Sequence, residues 1–259
     1  MIESVQNLKI KKYLKLLNSS KYRKQNNMLA VEGVRLIFDL LKFGNIVNNI
    51  FLTKSCIEKT NISRYNITKE FNFDIISESV AKKISFVKNS QGAFAIFEKP
   101  KALKEDEIAK KDYVLALYKI NDPGNLGTLI RTAFSFGFLK ILIHNCCDIY
   151  NEKVVRSSMG AVLKVKILNC KDFIKTVKNL KNKHIEIFAT STKKNCKFPE
   201  KISGRSGVLI LGNEANGLPV NIIKNADENI KIKMNSFAES LNVACAGSIL
   251  MYEMRKFSL

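Results

Sequence analysis

Short apolar runs alternate with amphipathic stretches along most of this chain. In residues 5–17, VQNLKIKKYLKLL, Val5, Leu8, Tyr13, Leu16 and Leu17 fall near one helical face and the lysines on the other, which predicts an amphipathic helix. Residues 18–27, NSSKYRKQNN, read as a polar, basic connector. LAVE (29–32), NNIFLTKS (48–55), FNFDIIS (71–77) and GAFAIFEK (92–99) predict strands. GVRLIFDLLKFG (33–44) predicts an apolar helix closed by Gly44, and Ser77 is placed to cap a helix over SESVAKKI with Val80 and Ala81 inward. This alternation predicts a small α/β unit over residues 1–97. Residues 98–111, EKPKALKEDEIAKK, are charged and read as a linker, or a linker with one loose helix.

The alternation then restarts over 112–259. DYVLALYKI (112–120), LKILIHN (139–145), KVKIL (164–168), HIEIFATS (184–191), SGVLILG (206–212) and NIKIKM (229–234) predict strands. NLGTLIRTAFSFG (125–137), a helix opened by NEKVVRSSMGA, KDFIKTVKNLK (171–181) and AESLNVACAGSILMYEMRKF (238–257) predict helices. Apolar strands alternating with helices argue for an α/β class with a buried sheet.

Charge adds a partner. The 43 Lys+Arg against 23 Asp+Glu give +20, more than solubility requires, and favour a polyanion: RNA or DNA first, an anionic surface second. A lysine-rich composition throughout is the alternative reading. No run of eighteen apolar residues occurs, so no membrane span is expected. The six cysteines form no CxxC and only His144 and His184 are present, so neither a metal site nor a disulfide framework is expected, and a reducing cytoplasm is the expected compartment.

Three separated stretches carry the candidate chemistry. KINDPGNLGTLIRTAFSFGF (119–138) packs turn formers between a strand and a helix, an arrangement that aims helix N–H groups at a polar ligand, though its glycines do not make a GxGxxG. Asn125 is a candidate N-cap, and Arg131 lies about 600° further round the helix, so the two side chains point to different sides. LILGNEANGLP (209–219) ends a strand at Gly212, where Asn213 and Glu214 precede a second glycine at 217. MNSFAESLNVACAGSILMYEM (234–254) sets Ser240 and Asn242 at the entrance of a helix rich in small residues. Each stretch alone is also explained as an ordinary turn or cap.

Taken together and in this order, these stretches resemble the three motifs of the SpoU (TrmH) family of S-adenosylmethionine-dependent RNA ribose 2′-O-methyltransferases, with VVRSSMGAVLKV similar to the intervening segment. Residues 1–97, through MLAVEGVRLIFDLL and SQGAFAIF, resemble the substrate-binding domain of many members, an L-thirty-e-like α/β fold. The resemblance implies a trefoil-knot α/β domain over 112–259, a homodimer through that domain, and S-adenosyl-L-methionine as cofactor, held at Gly212, Asn213, Ile232 and Leu241. It implies that Arg131 acts on the hydroxyl while Asn125, Glu214, Ser240 and Asn242 hold the site. It also implies RNA, most readily 23S ribosomal RNA, as substrate. A non-catalytic RNA-binding protein of this fold, a tRNA substrate, and an enzyme acting on small molecules are the competing readings. Lys9, Lys11, Lys12, Lys21, Arg23 and Lys24 are candidate phosphate contacts, or a solvated face. One departure is Lys233, where the family carries proline.

Overall fold

The computed structural model describes residues 1–59, 71–191, 196–235, 237 and 240–256. The chain divides into two compact units, Met1–Pro100 with Tyr150–Val155, and Lys101–Ile149 with Arg156–Leu259.

In the first unit, helices α1 (Leu8–Asn18), α2 (Ser20–Asn26), α3 (Val34–Lys42), α4 (Lys54–Lys59) and α5 (Glu78–Ile84) alternate with strands β1 (Met28–Glu32), β2 (Val47–Thr53), β3 (Asp74–Ile76) and β4 (Ala93–Glu98). The strands form a sheet in the order β1-β4-β2-β3, antiparallel except for β2 and β3. Helix α1 buries Ile10, Tyr13 and Leu16, with the Tyr13 ring edge-on to Phe51 and Phe94. Leu8, expected on that face, is 82% exposed. The helix starts at Leu8 behind the Asn7 cap, and Leu8 lies about 200° from Ile10, off the inward stripe.

The expected connector at 18–27 is instead largely helix α2. Ser19 caps it by accepting from the Tyr22 amide, and Arg23 is buried, donating from Nη1 to the carbonyls of Leu16 (2.6 Å) and Leu17 (2.8 Å). Those carbonyls end α1 and lack helical partners, so Arg23 is held as a C-cap and is not free to meet a phosphate. Glu32 is also buried. Its carboxylate accepts from Ser85 Oγ (2.7 Å), Ser90 Oγ (2.8 Å) and the Phe86 amide (3.1 Å), which fixes the loop between α5 and β4. Ser77 caps α5 as expected.

The second unit holds β5 (Tyr113–Tyr118), α6 (Pro123–Ser135), β6 (Lys140–His144), β7 (Lys166–Asn169), α8 (Phe173–Asn182), β8 (Ile187–Thr190), β9 (Gly207–Leu211), α9 (Val220–Asn225), β10 (Glu228–Ile230) and α10 (Val243–Arg255). Helix α7 (Glu152–Ser157) falls across the division between the units. The six strands are parallel, in the order β10-β8-β9-β5-β6-β7. Successive residues of β5 and β9 point to opposite faces, yet Val114, Leu115, Ala116, Leu117, Val208, Leu209 and Ile210 are all fully buried. Both faces are therefore covered, which is why these strands read as continuous apolar runs. One face packs on α8 and α9 through Phe173, Val177, Leu180 and Ile222. The segment 98–111, expected as a linker, sends Leu103 and Ile108 into this same core. Two apolar residues at this spacing anchor a charged stretch that composition alone marks as loose.

Candidate functional site

Strands β5 and β9 are neighbours whose connections leave for opposite faces of the sheet. After β5 the chain enters α6, which packs against α10 on one face. After β9 it enters α9, whose Ile222 joins the core on the other face. Such a divergence opens a crevice at the carboxyl ends of the strands, where α/β sheets bind ligands. Two of the three candidate stretches begin there. The third belongs to the chain returning from the edge strand β10 to α10.

Side-chain amides join the three. Asn242 caps α10, its Oδ1 accepting from the Ala244 (2.8 Å) and Cys245 (3.3 Å) amides, and its Nδ2 donates to Asn125 Oδ1 at 2.9 Å. Asn125 Nδ2 donates to Glu214 Oε1 at 3.1 Å, and Asn213 Nδ2 lies 3.4 Å from Glu214 Oε2. Asn213 also donates to the Lys119 carbonyl (2.9 Å) and accepts from the Ala215 and Asn216 amides, which shapes the turn after β9. Because the α10 amides claim Asn242 Oδ1, the chain of donors runs in one direction and ends on the Glu214 carboxylate.

Beside this network lies a cavity of about 490 Å³. Its walls are the 211–218 turn, the 230–234 segment, Ser240, Leu241 and the first turns of α10, with Thr190 at the end of β8 and Ser191 after it. Aliphatic residues Leu211, Leu218, Ile223, Ile230, Ile232 and Leu250 share the lining with polar ones, Asn213, Glu214, Asn216 and Ser240 among them. Of the expected cofactor residues, Gly212, Asn213, Ile232 and Leu241 all line it, as do Glu214 and Ser240; Asn125, Asn242 and Arg131 do not. Gly212 is required by the turn: a Cβ there would stand 2.4 Å from the Gly217 carbonyl carbon and 2.6 Å from its oxygen. Lys233 is exposed between Ile232 and Met234, which form the wall.

Arg131 lies on the exposed stripe of α6, with Gly124, Thr128 and Ser135. It is one position, about 100°, round from Thr132, whose hydroxyl meets Ser248 of α10 at 3.3 Å. The structure therefore brings Asn125, Asn213, Glu214 and Asn242 together and leaves the Arg131 side chain pointing elsewhere.

Residues 112–252, more than half of the chain, match the profile of the SpoU rRNA Methylase family. The chain belongs to that family. Residues 7–95 match an MRM3-like substrate binding domain. The sequence is 29% identical to the 23S rRNA (guanosine(2553)-2'-O)-methyltransferase RlmP of Bacillus subtilis (strain 168), covering 98% of both chains. The fold superposes on an AdoMet-bound rRNA methyltransferase from Sinorhizobium meliloti with a TM-score of 0.83 at 27% identity, over 100% of this chain and 98% of that one. An RNA 2'-O ribose methyltransferase of known structure gives a TM-score of 0.82 at 25% identity, over 98% of each chain.

Within this SpoU chain the structure corrects two local expectations. Helix α6 begins at Pro123, and its N-cap is Asp122, whose Oδ1 accepts from the Asn125 amide at 2.7 Å. Asn125 is thereby freed from capping and spends its side chain on Glu214 and Asn242. The Asp-Pro pair is the signal for this start, since Pro suits the first helical position and Asp the cap. Helix α10 begins at Val243, so Ser240 and Leu241 sit in a loop; the expected start at 238–239 and the end at 257 lie outside the described residues. Residues missed from sequence are Ser157, whose hydroxyl donates to the Pro123 carbonyl (3.1 Å), and Lys231 in the cavity wall. Neither stands apart from the other serines and lysines of the chain.

Proposed function

We propose that this protein transfers a methyl group from S-adenosylmethionine to a ribose 2′-hydroxyl of ribosomal RNA. The observation that carries the reading is the amide network of Asn242, Asn125 and Glu214, which locks three distant loops beside a cavity of about 490 Å³. Cavities of this size hold ligands of some tens of atoms, with apolar walls and a few placed polar groups. The residues fit the donor: aliphatic walls for an adenine, exposed backbone in the 212–217 turn for its edge, and the glycine at 212 that lets this turn close. The names of the relatives support both the donor and the RNA substrate.

When bound, the donor supplies a methyl group already activated on a sulfonium. The chain's own residues position the hydroxyl in line and handle its proton. Arg131 is a permanent cation and a fork of donors, and so a poor base. Its role in this reading is to fix an RNA phosphate and the incoming hydroxyl, which suits its place on an open helix face outside the cavity. Ser240 and Glu214, both lining residues, are polar groups at the cavity in this scheme.

The reading also includes features supported less directly. Residues 112–259 carry the chemistry and 1–97 bind RNA, with 98–111 between them. Lys11, Lys12, Lys21 and Lys24 are the phosphate contacts, helped by the absence of any acidic residue between 4 and 31. The second unit is a trefoil knot, in keeping with the return of the chain from edge strand β10 past the 212–218 turn to α10. It forms a homodimer through α10, whose exposed Cys245, Ile249 and Tyr252 make an apolar stripe. The compartment is the cytoplasm. Ribose methylation mapped in ribosomal RNA from cells with and without the gene tests the function: one ribose loses its mark, whereas an unchanged map refutes it.

A further inference from the structure

The charges in the cavity wall have a pattern that the reaction scheme above does not use. Among the described residues that line the cavity, Glu214 is the one acidic residue and Lys231 the one basic residue; the rest are neutral. Neither is in an ion pair with another described residue. Glu214 is held by amide donors alone, Asn125 Nδ2 on Oε1 and Asn213 Nδ2 on Oε2, so its position is set while its charge is not cancelled. The donor chain from α10 through Asn242 and Asn125 keeps that carboxylate an acceptor. The main-chain amide of Lys231 donates to the Lys197 carbonyl at 2.8 Å, which anchors the backbone that carries its ammonium.

S-adenosylmethionine has a sulfonium, an ammonium and a carboxylate; after methyl transfer the product, S-adenosylhomocysteine, is a neutral thioether that lacks the methyl group and with it the sulfonium charge, and keeps the other two charges. From the two unpaired wall charges we infer that Glu214 is the counter-charge to the sulfonium, raising the affinity for the donor relative to its product, and that Lys231 receives the carboxylate common to both. This rests on the proposed donor. A unit charge a few ångströms away at a partly exposed site is worth on the order of 1–2 kcal/mol, about tenfold in affinity.

Calorimetric titration of the full chain with each of the two compounds tests this without any turnover. Glu214→Gln keeps an oxygen for Asn125 and removes the charge. It is expected to lower the donor-to-product affinity ratio about tenfold, with product affinity changed less than about threefold. Lys231→Met is expected to weaken both compounds by a similar factor and leave the ratio unchanged. An unchanged ratio in Glu214→Gln, or equal loss of both ligands, overturns the assignment of Glu214 while leaving the proposed function standing. A ratio altered in Lys231→Met overturns the assignment of Lys231. A wild-type protein that binds neither compound overturns the proposed donor and this inference together.

Discussion

Replacing Gly212 by alanine tests the turn that forms the cavity floor. The added Cβ would lie 2.4 Å from Gly217 C, 2.6 Å from Gly217 O and 2.7 Å from Leu218 N. All three are backbone atoms, so no side chain can swing aside. Ordinary contact begins at 3.4 Å, so 3.4 − 2.4 leaves about 1 Å by which the turn must open. Overpacking of this kind costs about 1–3 kcal/mol, and a midrange value would lower the Tm by roughly 4–8 °C in a unit of this size. The displaced backbone is also the cavity wall, so donor affinity is expected to fall by at least about tenfold, because a displaced turn no longer presents its amides and carbonyls in register. Gly217→Ala is the control. It meets nothing within 4 Å and has only its φ of +62° against it, a penalty of about 1 kcal/mol. Thermal melts and calorimetry on both variants decide the matter. If Gly212→Ala binds the donor as well as Gly217→Ala does, the turn is not the cofactor floor.

Three further outcomes follow from the same geometry. Asn125→Asp removes the donor to Glu214 and sets two carboxylates about 3 Å apart, so single-turnover methyl transfer is expected to drop by roughly 30- to 100-fold with the fold intact by circular dichroism. In RNA-binding titrations, Lys11→Ala and Lys12→Ala each reduce the slope of log affinity against log salt by about one, whereas Arg23→Ala lowers stability through the exposed end of α1 and leaves that slope unchanged. Burial, with the nearby Cys146, Asp122 and Asp148 adding to it, pushes the Cys147 thiol up to about 11. Below that pH it stays protonated and unreactive, so iodoacetamide at pH 8 is expected to leave Cys147 unlabelled, with Cys147 labelling rising only as the pH approaches 11.

The strands were legible because burial on both faces of a parallel sheet requires unbroken apolar runs, as in VLAL and VLIL. Helix starts were legible where one side chain does the capping, as at Ser77, and misassigned where two candidates compete, as with Asp122 and Asn125. The charged 98–111 segment and the polar 18–27 segment were misread for one reason. A few buried side chains, Leu103, Ile108 and Arg23, decide their structure against the composition around them. In the site, each turn was visible as a cluster of Gly, Asn and Pro. The bonds between turns join residues 89 and 117 positions apart, and no local pattern encodes them. That Arg131 points to a different side of the helix from Asn125 did follow from sequence, since six helical residues separate them.

Transfer of labelled methyl from S-adenosylmethionine to ribosomal RNA by the purified protein tests the central claim most directly. The account predicts that label enters a ribose 2′-oxygen of 23S ribosomal RNA and makes that linkage resistant to alkali. In Arg131→Ala the label is lost while donor affinity stays within about twofold, because Arg131 stands outside the cavity. Wild-type protein that binds ribosomal RNA yet leaves every ribose unlabelled would contradict it.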